Sequence, residues 1–260
     1  NGKKIFILII DDGSIDNTKN LKKNNLLIIS HGFNLGGGYA INTGIQISKL
    51  SNAKFILFMD ADGQHDNQNI FEMLPLMDSY DMVIASRDKN SYQSLPRKAA
   101  NIVYNKFASY MTGMKILDLT SGYRIIRTVL IKKFIYLLPN KFSYPTTLTM
   151  SFIRSGYSVF FYNVTMRKRL GGESKIRIFS DGPRFLLTIV KISMLFSPLR
   201  LFIPISITTF LIGFFYTFYT LYALGVFRNF SVTIFVFSMS MLVVGFISEQ
   251  ITALRYQHSD

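Results

Sequence analysis

Along the first 165 residues, short apolar runs alternate with longer mixed stretches. The runs "KIFILII", "NLLIIS", "KFILFM" and "DMVIAS" carry the β-branched and aromatic residues of buried strands. Between them "SIDNTKNLKK" predicts a helical start with Ser14 or Asp16 as N-cap, and "NLGGGYAINTGIQISKL" predicts a glycine turn running into a helix. "NQNIFEMLPLM" predicts a further helix, and a long one follows from Pro96 to about Met111. Strands alternating with helices predict an α/β domain, with a mainly parallel sheet covered on both faces. In such sheets ligands gather beyond the carboxyl ends of the strands. Three runs end there in reactive side chains: Asp11 with Asp12, Asp60 with Asp62, and Ser86 with Arg87.

The C-terminal quarter follows another pattern. Leu201 to Phe227 contains no charged residue, Arg228 and Asn229 interrupt, and Phe230 to Ser248 is again uncharged. A bilayer-spanning helix needs about 20 predominantly apolar residues. The two runs therefore predict a transmembrane hairpin over 199–260. Ahead of it stand Arg167, Lys168, Arg169, Lys175, Arg177, Arg184, Lys191 and Arg200, whereas the link offers only Arg228. The positive-inside rule then places the N-terminal domain, and the tail with Arg255, in the cytoplasm. The intervening "FSDGPRFLLTIVKISMLF" has a basic side and a broad apolar side, and predicts an amphipathic helix lying in the interface. The organisation expected is a catalytic-sized domain over 1–165, a basic loop and interfacial helix over 166–198, and the hairpin.

Composition narrows the chemistry. The 260 residues include no cysteine and three histidines, His31, His65 and His258, which argues against thiolate and multi-histidine metal sites. A net charge of +14 favours an anionic partner: nucleic acid, a phosphorylated small molecule or a membrane surface. The charge concentrates beside the hairpin and no nucleic-acid module is present, so nucleic acid is the weakest of the three. "NLGGGYAINTG" is not a dinucleotide fingerprint: with Gly36 and Gly38 in place, the third glycine position is Ile41. It reads as a turn opening a helix, with backbone approach to a ligand left open.

"KFILFMDADGQHD" has the sharpest signal. Asp-x-Asp alone reads as an Asx-rich turn. At a strand end, with a second acidic tip two strands earlier, it reads as a cation site. Alternate residues of an extended segment point the same way, so Asp60, Asp62 and Gln64 can converge as hard oxygen ligands for Mg²⁺ or Mn²⁺ shared with a substrate phosphate. His65 and Asp66 read as turn and helix-cap residues.

"IIDDGSIDNT", "NLGGGYAINTGI", "FMDADGQHD", "LTSGYRIIR" and "RLGGESK" together resemble the family-2 glycosyltransferases, in the polyprenyl-phosphate subgroup similar to dolichyl-phosphate mannosyltransferase. The resemblance runs from about residue 5 to 178, and the hairpin is similar to that of members with C-terminal spans. It implies a GT-A (Rossmann-like) fold, a UDP- or GDP-linked sugar donor, a divalent cation, a polyprenyl phosphate acceptor and inverting transfer at the cytoplasmic membrane face. It also implies roles: Asp60, Asp62 and Gln64 on the metal; Asp12, in the Asp11-Asp12 tip, near the nucleotide base; Arg87, Arg97 and Arg169 on phosphates; Ser174 and Lys175 in an acceptor-side loop; and Asp118 lining the active site.

Two departures from the family pattern stand out. The opening strand with its Pro-x-Tyr-Asn-Glu segment is absent, and the sequence is expected to be a fragment. Thr146 and Thr147 occupy the helix where many relatives carry an acidic residue, so no catalytic base is assigned there. A phosphate monoester, with a second pKa near about 6, is largely dianionic at neutral pH and needs positioning rather than deprotonation. Two rival readings are a processive polysaccharide synthase and a non-catalytic, lipid-binding membrane adaptor. The first uses a Gln-x-x-Arg-Trp element, and this chain has no tryptophan. The intact Asp-x-Asp and Arg-x-x-Gly-Glu-Ser-Lys elements argue against the second. The sugar, the nucleotide and self-association into a homo-oligomer stay open.

Overall fold

The computed structural model describes residues 5–21, 24–138, 143–168 and 178–257. Strands β1 (Ile7–Asp11) and β2 (Leu26–Ser30) pair in parallel as one small sheet. Helix α1 (Gly37–Leu50) lies on β1, with Gly44 close to the Ile10 side chain. A second sheet has the order β3–β5–β4–β6, where β3 is Phe55–Phe58, β4 Met82–Arg87, β5 Arg124–Arg127 and β6 Val159–Val164. β4 and β6 run parallel, and β5 runs against both β3 and β4. The sheet is thus mainly parallel in strand direction, with β5 as its reversed member.

The central strand β4 shows why its sequence is a continuous apolar run. Met82, Val83, Ile84 and Ala85 are all buried. Successive side chains point to opposite faces. Val83 and Ala85 join Met73 of α2 (Asn69–Leu76), and Met77 just after it, in one cluster. Met82 and Ile84 join Tyr104 and Ala108 of α3 (Leu95–Thr112), and Leu148 and Phe152 of α5 (Tyr144–Arg154), in the other. Each such side chain contributes ~1.5–3 kcal/mol by leaving water. The short helix α4 (Thr128–Ile131) and a 3₁₀ turn at Lys132–Leu137 complete that layer.

One expectation changes. "SIDNTKNLKK" yields only a 3₁₀ turn, Asn17–Asn20, capped by Asp16, because the chain is extended again at Leu21. Helix α6 (Ile178–Phe196) buries part of its apolar side in the domain. Phe185, Ile189, Ile192 and Phe196 pack into the domain core with α3 and α5. Its exposed side keeps Leu186 and Leu187 beside Arg184 and Lys191.

α7 (Leu199–Leu224) and α8 (Asn229–Gln257) form an antiparallel hairpin about a left-handed turn at Gly225. Each contains 26 residues long and apolar enough to cross a membrane. Their contact is built on small residues, as membrane helices require when no hydrophobic force drives them together. A Cβ on Gly213 would lie 2.8 Å from Ile234, and one on Gly245 would lie 2.8 Å from Phe202. Between them Ser206 and Ser238 each donate a hydroxyl hydrogen bond of 2.9 Å to the other's backbone carbonyl. Enlarging the seam should separate the helices. Gly245→Leu is expected to destabilise the hairpin by ~1–3 kcal/mol through overpacking, read as a lowered melting temperature of the detergent-solubilised chain.

Candidate active site

β3 ends at Phe58, and the acidic loop follows. Arg124 of β5 pairs with Phe58 on one side and Ile84 on the other. Two residues along the same register, Asp60, Gly122 and Ser86 stand side by side at the sheet tip. A Cβ on Gly122 would lie 3.2 Å from Asp60 Oδ2 and 2.9 Å from Tyr144 Oη. Glycine therefore lets a carboxylate and a phenol close over the end of β5.

The loop does not stay extended, because Gly63 adopts a left-handed φ of 76°. Asp62 Oδ1 accepts the Gln64 N–H at 3.1 Å. Gln64 is tied to the chain beyond β6. Its side-chain amide donates to the Arg167 carbonyl at 3.2 Å, and its own carbonyl accepts the Arg167 N–H at 3.1 Å. Asp66 adds an ion pair with Arg167 at 2.7 Å and accepts the Gln68 N–H ahead of α2. The acidic loop is thereby fastened to the segment that follows β6. His65 is not a surface turn residue. Its side chain is 5% exposed, and its Nε2 lies 3.9 Å from Asp60 Oδ2. Its ring packs on Tyr123, with centroids 4.7 Å apart.

At the end of β4, Arg87 reaches Asp118. Arg87 Nη1 donates to both carboxylate oxygens, at 3.0 and 2.9 Å, and to Thr120 Oγ1 at 3.2 Å. The Arg87 N–H also donates to Asp118, which is buried. The pair is therefore pre-formed, with the Arg87 side chain 27% exposed. Among the described residues, its Nε and Nη2 carry no hydrogen bond.

Beneath the tip lies Arg124, wholly buried. Its guanidinium donates to the carbonyls of Ser121 and Pro145 and to Thr149 Oγ1. Burial draws its pKa down to about 10, against the opposing pull of Tyr144, Asp118 and Asp60, so it remains a cation at neutral pH. Tyr144 is held protonated by burial and by the Asp60 carboxylate. Burial, with Asp66 nearby, pushes Tyr123 up to about 12.

The first acidic tip does structural work. Asp11 is buried and accepts the Ser14 N–H at 2.8 Å. Asp12 accepts the N–H groups of Leu35 and Gly36 at 3.0 and 2.7 Å, and pairs with His31 Nδ1 at 2.8 Å. His31 Nε2 continues to Thr43 Oγ1 of α1 at 3.0 Å. One carboxylate thus shapes the glycine turn before α1. Arg97 lies in the first turn of α3. Arg169, Ser174 and Lys175 lie outside the described residues.

Among the described residues, no three His, Cys, Asp or Glu side chains converge as a metal cage. Asp60 and Asp62 are left as the hard oxygen donors, and the Asp60 side chain is 61% exposed. An exposed Asp60 beside Asp62, whose Oδ2 is buried, supplies hard oxygens of the kind that fit Mg²⁺ or Mn²⁺, ions that keep water and substrate phosphate oxygens in their remaining positions. The sequence reading passed over His65, Tyr123, Arg124 and Tyr144. "SGYR" was visible as a motif, but its arginine pointed inward only once β5 was known to run backwards.

The Asp12 network has a definite pH signature. Burial alone would raise the Asp12 pKa, but the hydrogen bonds from His31, Leu35 and Gly36 outweigh it and hold the group below the ordinary 3.8. A depressed carboxylate contributes stability that is fully present above its unfolded pKa and is lost as pH falls through the folded value. Hydrogen exchange at the Leu35 and Gly36 amides, corrected for intrinsic rates, should therefore lose protection only as pH falls below 3.8. Asp12→Asn should weaken that protection already at neutral pH.

Residues 1–135 match the model for glycosyl transferase family 2, and residues 197–254 match the GtrB C-terminal hairpin. The chain is 27% identical over 187 residues to a polyprenol monophosphomannose synthase of Mycolicibacterium smegmatis, covering 66% of this chain and 71% of that protein. It is 30% identical over 142 residues to a UDP-N-acetylglucosamine–dolichyl-phosphate N-acetylglucosaminyltransferase of Methanococcus voltae, covering 45% and 57%. An uncharacterised protein of Methanocaldococcus jannaschii is 35% identical over 136 residues, covering 50% and 56%. The chain thus spans little more than half the length of the two archaeal relatives. In fold it resembles glucosyl-3-phosphoglycerate synthase from Mycobacterium tuberculosis, with a TM-score of 0.54 at 12% identity over 72% of this chain and 69% of that one. The same enzyme has been solved with Mn²⁺ and UDP-glucose, at a TM-score of 0.52 and 15% identity over 72% and 67% of the two chains. The chain belongs to glycosyl transferase family 2, as a GT-A domain followed by a GtrB-type C-terminal hairpin.

Proposed function

We propose that the chain transfers a sugar, with inversion, from a UDP- or GDP-linked donor to a polyprenyl phosphate, with its catalytic domain on the cytoplasmic face of the membrane. The observation that carries this reading is the pairing of two features in one chain. An acidic tip, Asp60 and Asp62, stands across β5 from a pre-formed Arg87–Asp118 pair. An apolar hairpin follows in the same chain. The names of two relatives, acting on polyprenol and dolichyl phosphate, support the acceptor class.

Asp60 and Asp62 would hold Mg²⁺ or Mn²⁺, which when bound neutralises charge on the leaving nucleoside diphosphate. Arg87 supplies fixed positive charge for the same phosphates. Asp118 holds its Nη1 and leaves the other donors to face a substrate oxygen, so the charge needs no reorganisation during reaction. Arg97, in the first turn of α3, adds a cation where the helix N-terminus already favours anions. Arg169, Ser174 and Lys175 are assigned to the acceptor phosphate. An oxygen of that phosphate attacks the anomeric carbon. The new C–O bond forms as the bond to the diphosphate breaks, and the electron pair departs with the diphosphate. No side chain has to remove a proton, because the phosphate monoester, with a second pKa near about 6, arrives largely dianionic. This agrees with α5, whose inward residues include Thr146, Thr147 and Thr149 and no titratable group between Pro145 and Ser151.

The test is transfer of label from UDP- and GDP-sugars to polyprenyl phosphate by membranes containing the full-length protein, with Mg²⁺ or Mn²⁺. A lipid-linked monosaccharide is expected, and its absence with every donor would overturn the reading. Asp62→Ala should abolish turnover at all metal concentrations. Asp118→Asn, which leaves Arg87 without its ionic partner, should lower turnover by about 10²-fold with little change in membrane insertion.

A further inference from the structure

Helix α3 is an 18-residue rod joining two places that matter. At ~1.5 Å per residue it spans about 27 Å. Its middle turns support the candidate active site. Asn105 accepts the Leu119 N–H at 2.9 Å and donates to the Leu117 carbonyl at 2.7 Å, so one side chain grips both neighbours of Asp118. Asn101 lies 3.5 Å from the Thr120 hydroxyl, which in turn contacts Arg87.

The far end meets the hairpin. The last carbonyls of a helix have no partner within it, and two arginines from other elements take them. Arg200, in the first turn of α7, donates to the Tyr110 carbonyl at 2.9 Å, while the Tyr110 hydroxyl donates to the Arg200 carbonyl at 3.0 Å. Arg154 of α5 donates to the carbonyls of Thr112 at 3.4 Å and of Phe196, the last residue of α6, at 3.2 Å. Gly113 ends α3 in a left-handed conformation, and its bare Cα seats the Arg200 guanidinium. A Cβ there would lie 2.6 and 2.7 Å from the two Nη atoms. Both arginines also sit at the negative end of the α3 dipole.

We propose that this joint fixes the height of the active site above the bilayer, making Arg200 a positioning residue for a membrane-resident acceptor. The inference rests on the polyprenyl phosphate reading above. A long-chain acceptor has its phosphate held at the headgroup plane by its tail, so it cannot rise to meet a misplaced site. A short prenyl phosphate dissolved in water can. Displacement of a reacting group by about 1 Å can cost about 10²-fold, and only the anchored acceptor is exposed to that cost.

The experiment compares full-length wild-type protein with Arg200→Ala and Arg200→Lys in lipid vesicles, using a long-chain polyprenyl phosphate and a short water-soluble prenyl phosphate as acceptors. Arg200→Ala should lose about tenfold or more in kcat/KM for the long acceptor, with donor KM and short-acceptor transfer within about twofold. Arg200→Lys should not restore the loss, because an ammonium cannot lie flat on Gly113. Equal loss with both acceptors, or no loss with either, overturns the proposal. A second readout needs no turnover. The chain has no cysteine, so Lys98→Cys gives a single fluorophore site on the exposed side of α3. Quenching by nitroxide lipids of graded depth should report one height in the wild type and a changed profile with Arg200→Ala. An unchanged profile overturns the joint whatever the activity. Failure of the wild type to glycosylate either acceptor sinks the functional reading instead, and leaves the depth measurement to judge the joint.

Discussion

Arg124 carries a charge with no water around it, and much of the sheet tip is arranged to keep that charge. Its two Nη groups donate to the carbonyls of Ser121 and Pro145 and the hydroxyl of Thr149. Desolvating a cation costs several kcal/mol, while hydrogen bonds to a charged group return about 1.5–3 kcal/mol each. The loop before β5 and the first turns of α5 must therefore stay where they are. Gly122 and Tyr144 belong to the same two segments. Asp60 and Asp118 lie close enough for their charges to help keep Arg124 protonated. The attraction works in both directions, so the buried cation also supports two carboxylates at the mouth of the site.

What was legible in the sequence depended on how local the cause was. β4 is covered on both faces, and its unbroken apolar run says so without help from distant residues. The N-cap of the 3₁₀ turn, the glycine opening of α1 and the length of α3 are equally local. β5 was not legible. "RIIR" is short, and its reversed direction comes from its neighbours rather than from its own pattern. The site divides in the same way. Asp60 and Asp62 announce themselves by following an apolar run. Gln64 read as their companion because alternation holds in extended chain, and the left-handed turn at Gly63 sets where it stands. His65 read as a turn residue. Its burial against Tyr123 depends on a strand far along the chain.

The amphipathic helix shows how one pattern admits two partners. Apolar residues on one side of α6 specify burial without specifying against what. Here the choice goes to α3 and α5, which offer Tyr104, Ala108, Leu148 and Phe152. The domain and the hairpin become mechanically continuous as a result. α6 is part of the globular core and ends one short turn before the first apolar helix begins.

The reciprocal serine pair has a consequence for where the hairpin carries its charge. Ser206 and Ser238 satisfy each other inside the seam. The hydroxyls of Thr209, Thr217, Thr233 and Ser240 bond back to carbonyls one turn earlier in their own helices. These hydroxyls are thereby satisfied within the hairpin itself. Charge sits at the ends instead: Arg200 and Glu249 at one, Arg228 at the other. Glu249 accepts the Leu199 N–H at 3.4 Å, so this end carries both signs of charge within one turn of helix. The hairpin thus carries its charge at its tips, and the more highly charged tip is the one that joins the globular domain.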